Sequence, residues 1–310
     1  MSEGSVQVAC IGECMVELRE AADGRLTRGW GGDTLNTAVY LARLGVPVDY
    51  ITALGDDPWS DEMVAGWQAE EVGIGHVVRL PGRLPGLYVI QTDSHGERRF
   101  SYWRDLAPAR DLFALPETEA VVDALGTYRW LYLSGITLSL YGPAGRARLF
   151  EALDRAQASG TRLAFDTNFR LRGWPDRELS RAAFLEAARR AAIVLASTED
   201  LELLFDEPYP ARFIACAQAT ELVLKLPEQA CRILTPGLDS IVAAEPVAEV
   251  VDTTAAGDSF AAAYLASRLG GGDPLSAARA GHRLAGAVVA HPGAIIPRGA
   301  MPGSAAKSHP

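Results

Sequence analysis

Residues 252–260 read DTTAAGDSF, and this stretch decides the fold. A valine-rich, strand-like segment (residues 246–251) precedes it, and an apolar helical pattern, AAAYL at 261–265, follows it. A strand, a turn of small residues and a helix in this order are typical of an α/β protein. The first turn of such a helix presents backbone N–H groups at the positive end of the helix dipole. The stretch therefore predicts a backbone site for an anion.

Asp258 is the unusual member of this turn, because a carboxylate beside a phosphate-binding turn repels the phosphate. Its position makes sense if Asp258 removes a proton from a hydroxyl group that attacks phosphorus. The alternative is an ordinary helix N-terminus with an acidic first turn, which is common in α/β proteins. These residues alone leave both interpretations open.

The DTTAAGD run resembles the D-T-x-G-A-G-D signature of the ribokinase-like (PfkB) carbohydrate kinases. Other segments resemble one branch of that family, the 2-keto-3-deoxygluconate kinases. They are IGECMVEL at 11–18, GGDTLNTA at 31–38, RLPGLY at 83–88, GER at 96–98 with YWR at 102–104, YLSGI at 132–136, FDTNFR at 165–170 and GAIIP at 293–297. Matches in the same order along nearly the whole chain are far more specific than one motif.

This resemblance implies one ribokinase-like α/β domain over residues 1–310, with a central, mostly parallel sheet flanked by helices and a small β-sheet lid. It implies an enzyme that uses ATP and Mg²⁺. The γ-phosphoryl group would pass to the terminal (6-) hydroxyl of 2-keto-3-deoxygluconate and give 2-keto-3-deoxy-6-phosphogluconate. Asp258 would be the base, and the backbone of Ala255, Ala256 and Gly257 would stabilise the transferred group.

Composition agrees with a soluble enzyme and excludes a nucleic-acid binder. The 310 residues could form one large α/β domain or two smaller ones, and 48% of them are hydrophobic. With 39 acidic and 29 basic residues the formal net charge is −10, and no Lys/Arg cluster forms a basic face. An enzyme with this charge must hold phosphates with local donors and a metal ion.

The four cysteines and five histidines have no zinc-ligand spacing, so no His/Cys metal site is expected. The first residues lack a basic region followed by an apolar run, and no apolar stretch approaches membrane-spanning length. We therefore expect a cytoplasmic protein with reduced thiols.

Short apolar runs alternate with helical patterns, which favours βαβ units and a parallel sheet. The predicted strands are 6–11, 48–53, 128–133, 162–166, 193–196, 221–225 and 241–243. The predicted helices are 34–44, 60–71, 145–159, 177–191 and 211–220, and a last long helix opens at Asp273-Pro274. The tail, residues 301–310, is expected to be loose.

Four further short strands do not fit the βαβ series. Residues 88–93 and 98–103 predict a hairpin around residues 94–96, and residues 15–20 and 26–30 predict a second pair around Asp23-Gly24. We interpret them as a lid, formed by roughly residues 13–33 and 84–106, over one end of the large sheet. A small sheet has free edges that need a partner, so a homodimer joined through the lid is expected, as the resemblance also implies.

Polar residues at the ends of the predicted strands should meet in one crevice: Gly12, Ser134-Gly135, residues 166–170, Ser197 and Asp258. The turn Gly31-Gly32 would let a sugar approach the backbone, and Asp33 and Asn36 could bind its hydroxyl groups. A glycine turn with a helix cap explains these residues equally well, and the family's G-G-x-x-x-N element favours the sugar.

On the lid, Tyr88, Tyr102 and Arg104 suit a small carboxylated sugar, with Tyr102 and Arg104 on one strand face. The alternative is a cross-strand aromatic pair with a solvated arginine. Arg170 is the second cationic candidate. A sugar acid needs such an arginine pair and a neutral sugar does not, but the sequence leaves open which arginine meets the carboxylate.

On the nucleotide side, the resemblance implies Asn168, Arg170, Ser197, Lys225, Ala255 and Gly257 as binding residues. Ser197-Thr198-Glu199-Asp200 stands where the family often carries N-x-x-E. Capping of a helix by Ser197 is favoured here, and Asp200 would reach Mg²⁺ only through water.

Two departures from the family pattern concern the nucleotide. After Lys225 the chain reads LPEQA, whereas relatives carry a glycine-containing loop there. The lost glycine and the added Glu228 predict weaker ATP binding. Ala255 replaces a glycine that many relatives have. The alternatives to the predicted activity are a kinase for fructose, ribose or 2-keto-3-deoxygalactonate, and a sugar-acid sensor without catalysis. The arginine pair disfavours a nucleoside or vitamin kinase.

Overall fold

The computed structural model describes residues 7–21, 23–92, 98–116, 118–217 and 221–303. Its strands are β1 (Val8–Ile11), β2 (Met15–Glu20), β3 (Leu26–Gly31), β4 (Val48–Gly55), β5 (Val77–Leu80), β6 (Leu87–Thr92), β7 (Arg98–Trp103), β8 (Trp130–Ser134), β9 (Arg162–Asp166), β10 (Ala191–Ser197), β11 (Leu222–Leu226), β12 (Ala230–Thr235) and β13 (Leu238–Ala243). Its helices are α1 (Asp33–Arg43), α2 (Pro58–Ala69), α3 (Thr118–Leu125), α4 (Gly135–Leu140), α5 (Pro143–Ala158), α6 (Arg177–Arg190), α7 (Thr198–Phe205), α8 (Ala211–Ala217), α9 (Ala256–Leu269) and α10 (Pro274–Val289).

The large sheet has nine strands in the order β13-β12-β11-β10-β9-β8-β1-β4-β5. Neighbours from β11 to β5 are parallel, whereas β12 is antiparallel to both β11 and β13. Central strands such as β1 and β8 are buried along their whole length, as expected when helices cover both faces. The predicted α/β fold with a central, mostly parallel sheet is confirmed.

Helices pack on both faces of this sheet. On one face, α3, α5 and α6 bury residues such as Leu125, Leu153 and Phe184. On the other face, α1, α9 and α10 bury residues such as Tyr40 and Tyr264. None of the helices in the described part of the chain has the length and apolar character that crossing a bilayer requires.

A second, four-stranded sheet has the order β3-β2-β6-β7. Its outer pairs are antiparallel and β2 is parallel to β6, with Val16 opposite Leu87. This sheet contains the four strands that the sequence analysis assigned to the lid. The predicted turn at residues 94–96 lies outside the described residues, as do residues 304–310 of the tail.

The structure differs from the sequence-based prediction at several segments, and the helices α3 and α4 are among those that were not predicted. Residues 246–251 are not a strand: they lie against the end of α10, where the amides of Val251 and Asp252 both donate to the Val289 carbonyl oxygen. Valine favours strands only where a neighbouring strand completes the ladder, and here a helix end takes that place. The strands β5 and β12 were not predicted. Both lie at or next to an edge of the sheet, and neither shows a regular alternation of buried and exposed residues, so their patterns are weak.

The carboxyl ends of the parallel strands meet at one edge of the sheet, and the lid lies over that edge. Glu13 follows β1, Asp166 ends β9, Ser197 ends β10 and Lys225 lies near the end of β11. All four line one cleft together with lid residues such as Tyr102. The cleft therefore lies where open α/β sheets usually bind their ligands.

Candidate active site

The cleft between the strand ends and the lid has a volume of about 2330 Å³. Its walls combine the lid strands, the segment before and within the first turn of α9, and the first turn of α1. The residues to which a catalytic, sugar-binding or nucleotide-binding role was assigned from the sequence all lie on these walls. They are Gly31, Gly32, Asp33, Asn36, Tyr88, Tyr102, Arg104, Asn168, Arg170, Ser197, Asp200, Lys225, Ala255, Ala256, Gly257 and Asp258.

Asp258 lies in the first turn of α9 and faces α1. Its carboxylate accepts a hydrogen bond from the Asn36 amide, with 2.8 Å between Nδ2 and Oδ2. Burial, with repulsion from the Asp33 carboxylate, raises the pKa of Asp258 to about 8, although the hydrogen bond from Asn36 works in the opposite direction. A carboxylate whose pKa lies near neutrality can both accept and release a proton during turnover.

The residue that precedes α9, Ala255, has an unusual backbone conformation. Ala255 has φ 60° and ψ 15°, a left-handed conformation that glycine adopts more easily. The amide of Ser259 makes the first i→i−4 bond of the helix, to the Ala255 carbonyl at 2.9 Å, and the Ala256 amide donates to Thr253 at 3.3 Å. The amides of Gly257 and Asp258 lie between these two, in the turn whose N–H groups are available to a ligand.

Lys225 stands beside this turn. Its ammonium nitrogen is 3.3 Å from each carboxylate oxygen of Asp166, and it lies 3.6 Å from the position that a Cβ on Gly257 would occupy. Burial works against its charge, but the carboxylates of Asp166, Asp200 and Asp258 together outweigh burial and raise the pKa of Lys225. The site thus places a fixed positive charge next to the helix N-terminus.

The glycine turn before α1 makes close backbone contacts. A Cβ on Gly31 would lie 2.2 Å from the Tyr88 hydroxyl, and a Cβ on Gly32 would lie 2.2 Å from the Glu13 carbonyl oxygen. No side chain fits either position. Asp33, the first residue of α1, accepts a hydrogen bond from the Asn168 amide at 2.8 Å. The turn, α1 and the segment after β9 therefore form one wall.

The two arginines have carboxylate partners within the cleft. Arg104 forms an ion pair with Glu13, whose side chain is 1% exposed. Burial raises the pKa of Glu13, and Arg104 opposes that shift. Arg170 is 61% exposed, with Nη1 at 3.9 Å from Asp200 Oδ1. Arg104 is thus held by a buried group, whereas Arg170 reaches into solvent.

Of the two tyrosines, Tyr88 is buried and Tyr102 is exposed. The Tyr88 hydroxyl donates to Glu17 Oε2 at 2.5 Å, so its proton is already engaged within the lid. The two residues face each other across β6 and β7, with ring centroids 5.9 Å apart. The cross-strand aromatic pair of the alternative interpretation is therefore present, but Arg104, which that alternative left solvated, is ion-paired.

Residues 6–300 match the sequence profile described as pfkB family carbohydrate kinase. The chain belongs to this family. It is 42% identical over 306 residues to the 2-dehydro-3-deoxygluconokinase of Dickeya dadantii (strain 3937), which covers 95% of this chain and 98% of that protein. It is 31% identical over 283 residues to a fructokinase of Salmonella typhimurium, with 87% of each chain covered. The crystal structure of a Xylella fastidiosa fructokinase with bound ATP has a TM-score of 0.82 at 23% identity, covering 96% and 95% of the chains, and this likeness shows the same fold.

The structure shows where the loop after Lys225 lies, which is the first of the two departures from the pattern of this carbohydrate kinase family. Residues 227–229 form the exposed turn between β11 and β12, and Gln229 has φ 55° where a glycine would be unstrained. Among the described residues, the cleft lining includes Lys225 but none of residues 226–229. The charge of Glu228 therefore lies outside the cleft. The loop's predicted effect on ATP binding remains a prediction.

Ser197 caps α7, since its hydroxyl accepts from the Asp200 amide at 3.0 Å. The Asp200 carboxylate does not return a bond to Ser197 but accepts from Thr167 Oγ1 at 2.7 Å. The expected capping role of Ser197 is confirmed. Gly12 and Ser134 do not line the cleft: Ser134 is fully buried and caps α4.

The sequence analysis did not single out Glu13, Glu17 and Asp166 as partners of site residues. Each is a carboxylate that pairs with a cleft residue distant in sequence: Arg104, Tyr88 and Lys225 respectively. Their position at or near the carboxyl end of a strand was a usable signal for Glu13 and Asp166. Their pairing could not be read from the chain. The contact of Glu13 with Arg104 depends on how the lid sits on the large sheet, and the other two contacts depend on the order of the strands within each sheet.

Proposed function

We propose that this carbohydrate kinase transfers the γ-phosphoryl group of ATP to the 6-hydroxyl of 2-keto-3-deoxygluconate. The observation that carries the proposal is the position of Asp258, which lies between Asn36 and the amides at the start of α9. Asn36 belongs to the wall formed by the Gly31-Gly32 turn, α1 and the segment after β9, which we call the sugar wall. The high identity to a protein named 2-dehydro-3-deoxygluconokinase supports this acceptor over fructose, because the fructokinase relative is more distant.

In this mechanism Asp258 accepts the proton of the attacking hydroxyl as the oxygen–phosphorus bond forms. Asn36 holds the carboxylate in place and favours its ionised form, while burial raises its proton affinity. General bases of this kind contribute roughly 10²–10⁴-fold to a rate. The terminal hydroxyl of the sugar must then lie within hydrogen-bonding distance of Asp258.

Charge on the transferred group is stabilised by donors around the same turn. The amides of Gly257 and Asp258 point along the helix dipole, and the Lys225 ammonium lies beside Gly257. The backbone of Ala255 and Ala256 shapes this turn. Together these groups supply the local positive potential that a chain of net charge −10 requires.

The residues present also fit a nucleotide-bound Mg²⁺. Asp166 and Asp200 offer carboxylate oxygens on the cleft wall next to Lys225, and oxygen ligands, often through water, are those that Mg²⁺ prefers. When bound, the ion neutralises charge on the β- and γ-phosphates. Asn168, Arg170 and Ser197 complete the nucleotide side of the cleft.

For the acceptor, we assign the carboxylate of the sugar acid to Arg104 and leave Arg170 to the phosphate side. Arg104 is fixed by Glu13 beside the Gly31-Gly32 turn, whereas Arg170 lies next to Asp200. We assign Asp33 and Asn36 to hydroxyl groups of the sugar. Tyr102 offers an exposed ring to the sugar, and Tyr88 lines the wall behind it.

A coupled assay of ADP formation with four acceptors tests the proposal. The acceptors are 2-keto-3-deoxygluconate, 2-keto-3-deoxygalactonate, fructose and ribose. We expect the highest kcat/KM with 2-keto-3-deoxygluconate and no more than weak turnover with the neutral sugars. A higher kcat/KM with fructose or ribose would overturn the assignment, and absence of turnover with every acceptor would favour a sensor.

We further propose a homodimer joined through the lid. Large apolar side chains on and next to β7 are exposed, with Trp103 at 62% and Leu106 at 81%. Light scattering should give the mass of a dimer for the wild type and of a monomer for Trp103→Glu. The control Ile241→Glu alters a side chain that is 66% exposed on β13, an edge strand of the large sheet, and should remain dimeric. A monomeric wild type would contradict the proposal.

We also propose a cytoplasmic location. The use of ATP and the reduced cysteines support it.

A further inference from the structure

Arg19 joins the lid to the segment that leads into α9. It lies on β2, and its Nη1 atom is 3.8 Å from Asp252 Oδ2. Its Nη2 atom donates to Glu17 Oε1 at 3.3 Å. The side chain is 33% exposed and the Asp252 side chain is 3% exposed, so a lid residue reaches a carboxylate in the body of the protein.

On the body side, Asp252 holds the turn that presents the anion-binding amides. Its Oδ1 atom accepts from the Thr254 amide at 2.8 Å, and its Oδ2 atom accepts from the Gly293 amide at 2.9 Å. A carboxylate that organises two backbone segments in this way fixes the entry into α9. A shift of Asp252 would therefore move the backbone just before Ala255.

On the lid side, Arg19 is tied to the sugar wall. Glu17, its partner, accepts from the Tyr88 hydroxyl at 2.5 Å, and that hydroxyl packs against Gly31. Tyr88, Glu17, Arg19 and Asp252 thus form one continuous chain of polar contacts. It runs from the place assigned to the sugar to the turn assigned to the phosphates.

The charges of Asp252 and Arg19 link the position of the lid to nucleotide binding. Asp252 is an anion next to the turn where a triphosphate would bind, and its charge opposes the nucleotide. Arg19 offsets that charge only while β2 lies over the cleft, because Arg19 is carried by the lid. Any ligand that favours the closed lid therefore also favours nucleotide at the turn, and this coupling must be reciprocal.

We propose that Arg19 is a positioning residue that couples sugar binding on the lid to nucleotide binding at the start of α9, through its ion pair with Asp252. The proposal rests on the proposed function for the identity of the two ligands. It predicts that the sugar acid tightens nucleotide binding in the wild type and that this tightening depends on Arg19.

The test is calorimetric titration of the non-hydrolysable analogue AMP-PNP with Mg²⁺, with and without saturating 2-keto-3-deoxygluconate. We expect the sugar to lower the Kd of AMP-PNP by about tenfold in the wild type, within the usual range of allosteric coupling. In Arg19→Gln the factor should fall to about twofold or less, and Arg19→Lys should keep part of it. The control is Arg25→Gln, in the same hairpin, where Arg25 pairs with Asp23 and is 84% exposed. This control should match the wild type.

The ratio of the two Kd values is the decisive readout, since damage to the fold would weaken binding with and without sugar alike. If Arg19→Gln is poorly folded, Glu17→Gln is the second variant. It removes the negative charge that contacts both Arg19 and Tyr88, and it should also lower the ratio of the two Kd values. A wild-type ratio near one, or an unchanged ratio in both variants, would overturn the role of Arg19. Turnover of the same wild-type sample with 2-keto-3-deoxygluconate tests the proposed function separately.

Discussion

The Asn36 amide donates to the Asp258 carboxylate across the cleft, with 2.8 Å between Nδ2 and Oδ2. The two residues come from the first turns of α1 and α9, and Thr37 adds a bond from its hydroxyl to the Asp258 carbonyl at 3.3 Å. These two hydrogen bonds fix the sugar wall relative to the first turn of α9. In the proposed mechanism this contact aligns the acceptor hydroxyl with the phosphoryl group.

Replacing Asp258, the proposed base, should impair the chemical step and leave binding of the sugar acid nearly unchanged. In Asp258→Asn the side chain keeps its size but cannot take a proton, so we expect kcat to fall by about 10³-fold. The Kd of the sugar acid, measured by calorimetry without nucleotide, should change by only about twofold to threefold. Near-normal turnover in this variant would show that another group is the base.

The pKa of Asp258, raised to about 8 chiefly by burial, predicts the pH dependence of the reaction. A base is active when deprotonated, so kcat/KM should fall about tenfold per pH unit below that pKa. In Asn36→Ala the carboxylate loses a bond that stabilises its charge, which raises its pKa further and moves the acidic limb to higher pH. The measurement is the pH profile of kcat/KM for both enzymes.

Thr37→Val is the control for that shift, because the Thr37 hydroxyl donates to the backbone carbonyl of Asp258 and not to its carboxylate. Its acidic limb should coincide with that of the wild type. An equal displacement in Asn36→Ala and Thr37→Val would mean that the position of α9, and not the hydrogen bond, sets the limb.

The sequence predicted those features that depend on local pattern. The strand Arg162–Asp166 was predicted with its observed bounds, and the four lid strands were found because period-two alternation and turn residues lie close together in the chain. The segment 246–251 failed, because its β-propensity has no strand to pair with. The ion pairs of Arg104 and Lys225 were missed for a different reason. They join residues that only the placement of the lid and of neighbouring strands brings together.

Ala255 offers a test of backbone strain at the anion-binding turn. Its left-handed φ of 60° costs an alanine about 1–2 kcal/mol that a glycine would not incur. Part of this gain is offset by the greater freedom of glycine in the unfolded chain. We expect Ala255→Gly to raise the free energy of unfolding by about 0.5–1 kcal/mol in urea denaturation.

The matched change is Ala256→Gly, one residue on, where the chain is already helical. There glycine brings only its entropic cost, so the free energy of unfolding should fall by about 0.5–1 kcal/mol. The two neighbouring substitutions should thus have opposite signs. A loss of stability in both variants would contradict the left-handed conformation of Ala255.

The buried pair of Glu13 and Arg104 makes a prediction about stability that is independent of the substrate. Arg104→Met leaves the Glu13 carboxylate, 1% exposed, without its ion-pair partner, so only Arg110 still opposes burial and the pKa of Glu13 rises further. Leaving a buried charge uncompensated is costly, and we expect the free energy of unfolding to fall by about 2–3 kcal/mol at neutral pH. In the double variant Glu13→Gln/Arg104→Met no buried charge remains, and most of that loss should be recovered.

Denaturation of the two single variants and the double variant measures the coupling energy between Glu13 and Arg104. The surface pair of Arg28 with Glu62 is the control, and its coupling energy should be close to zero. Additive losses at Glu13 and Arg104 would mean that the two side chains stabilise the protein independently of each other.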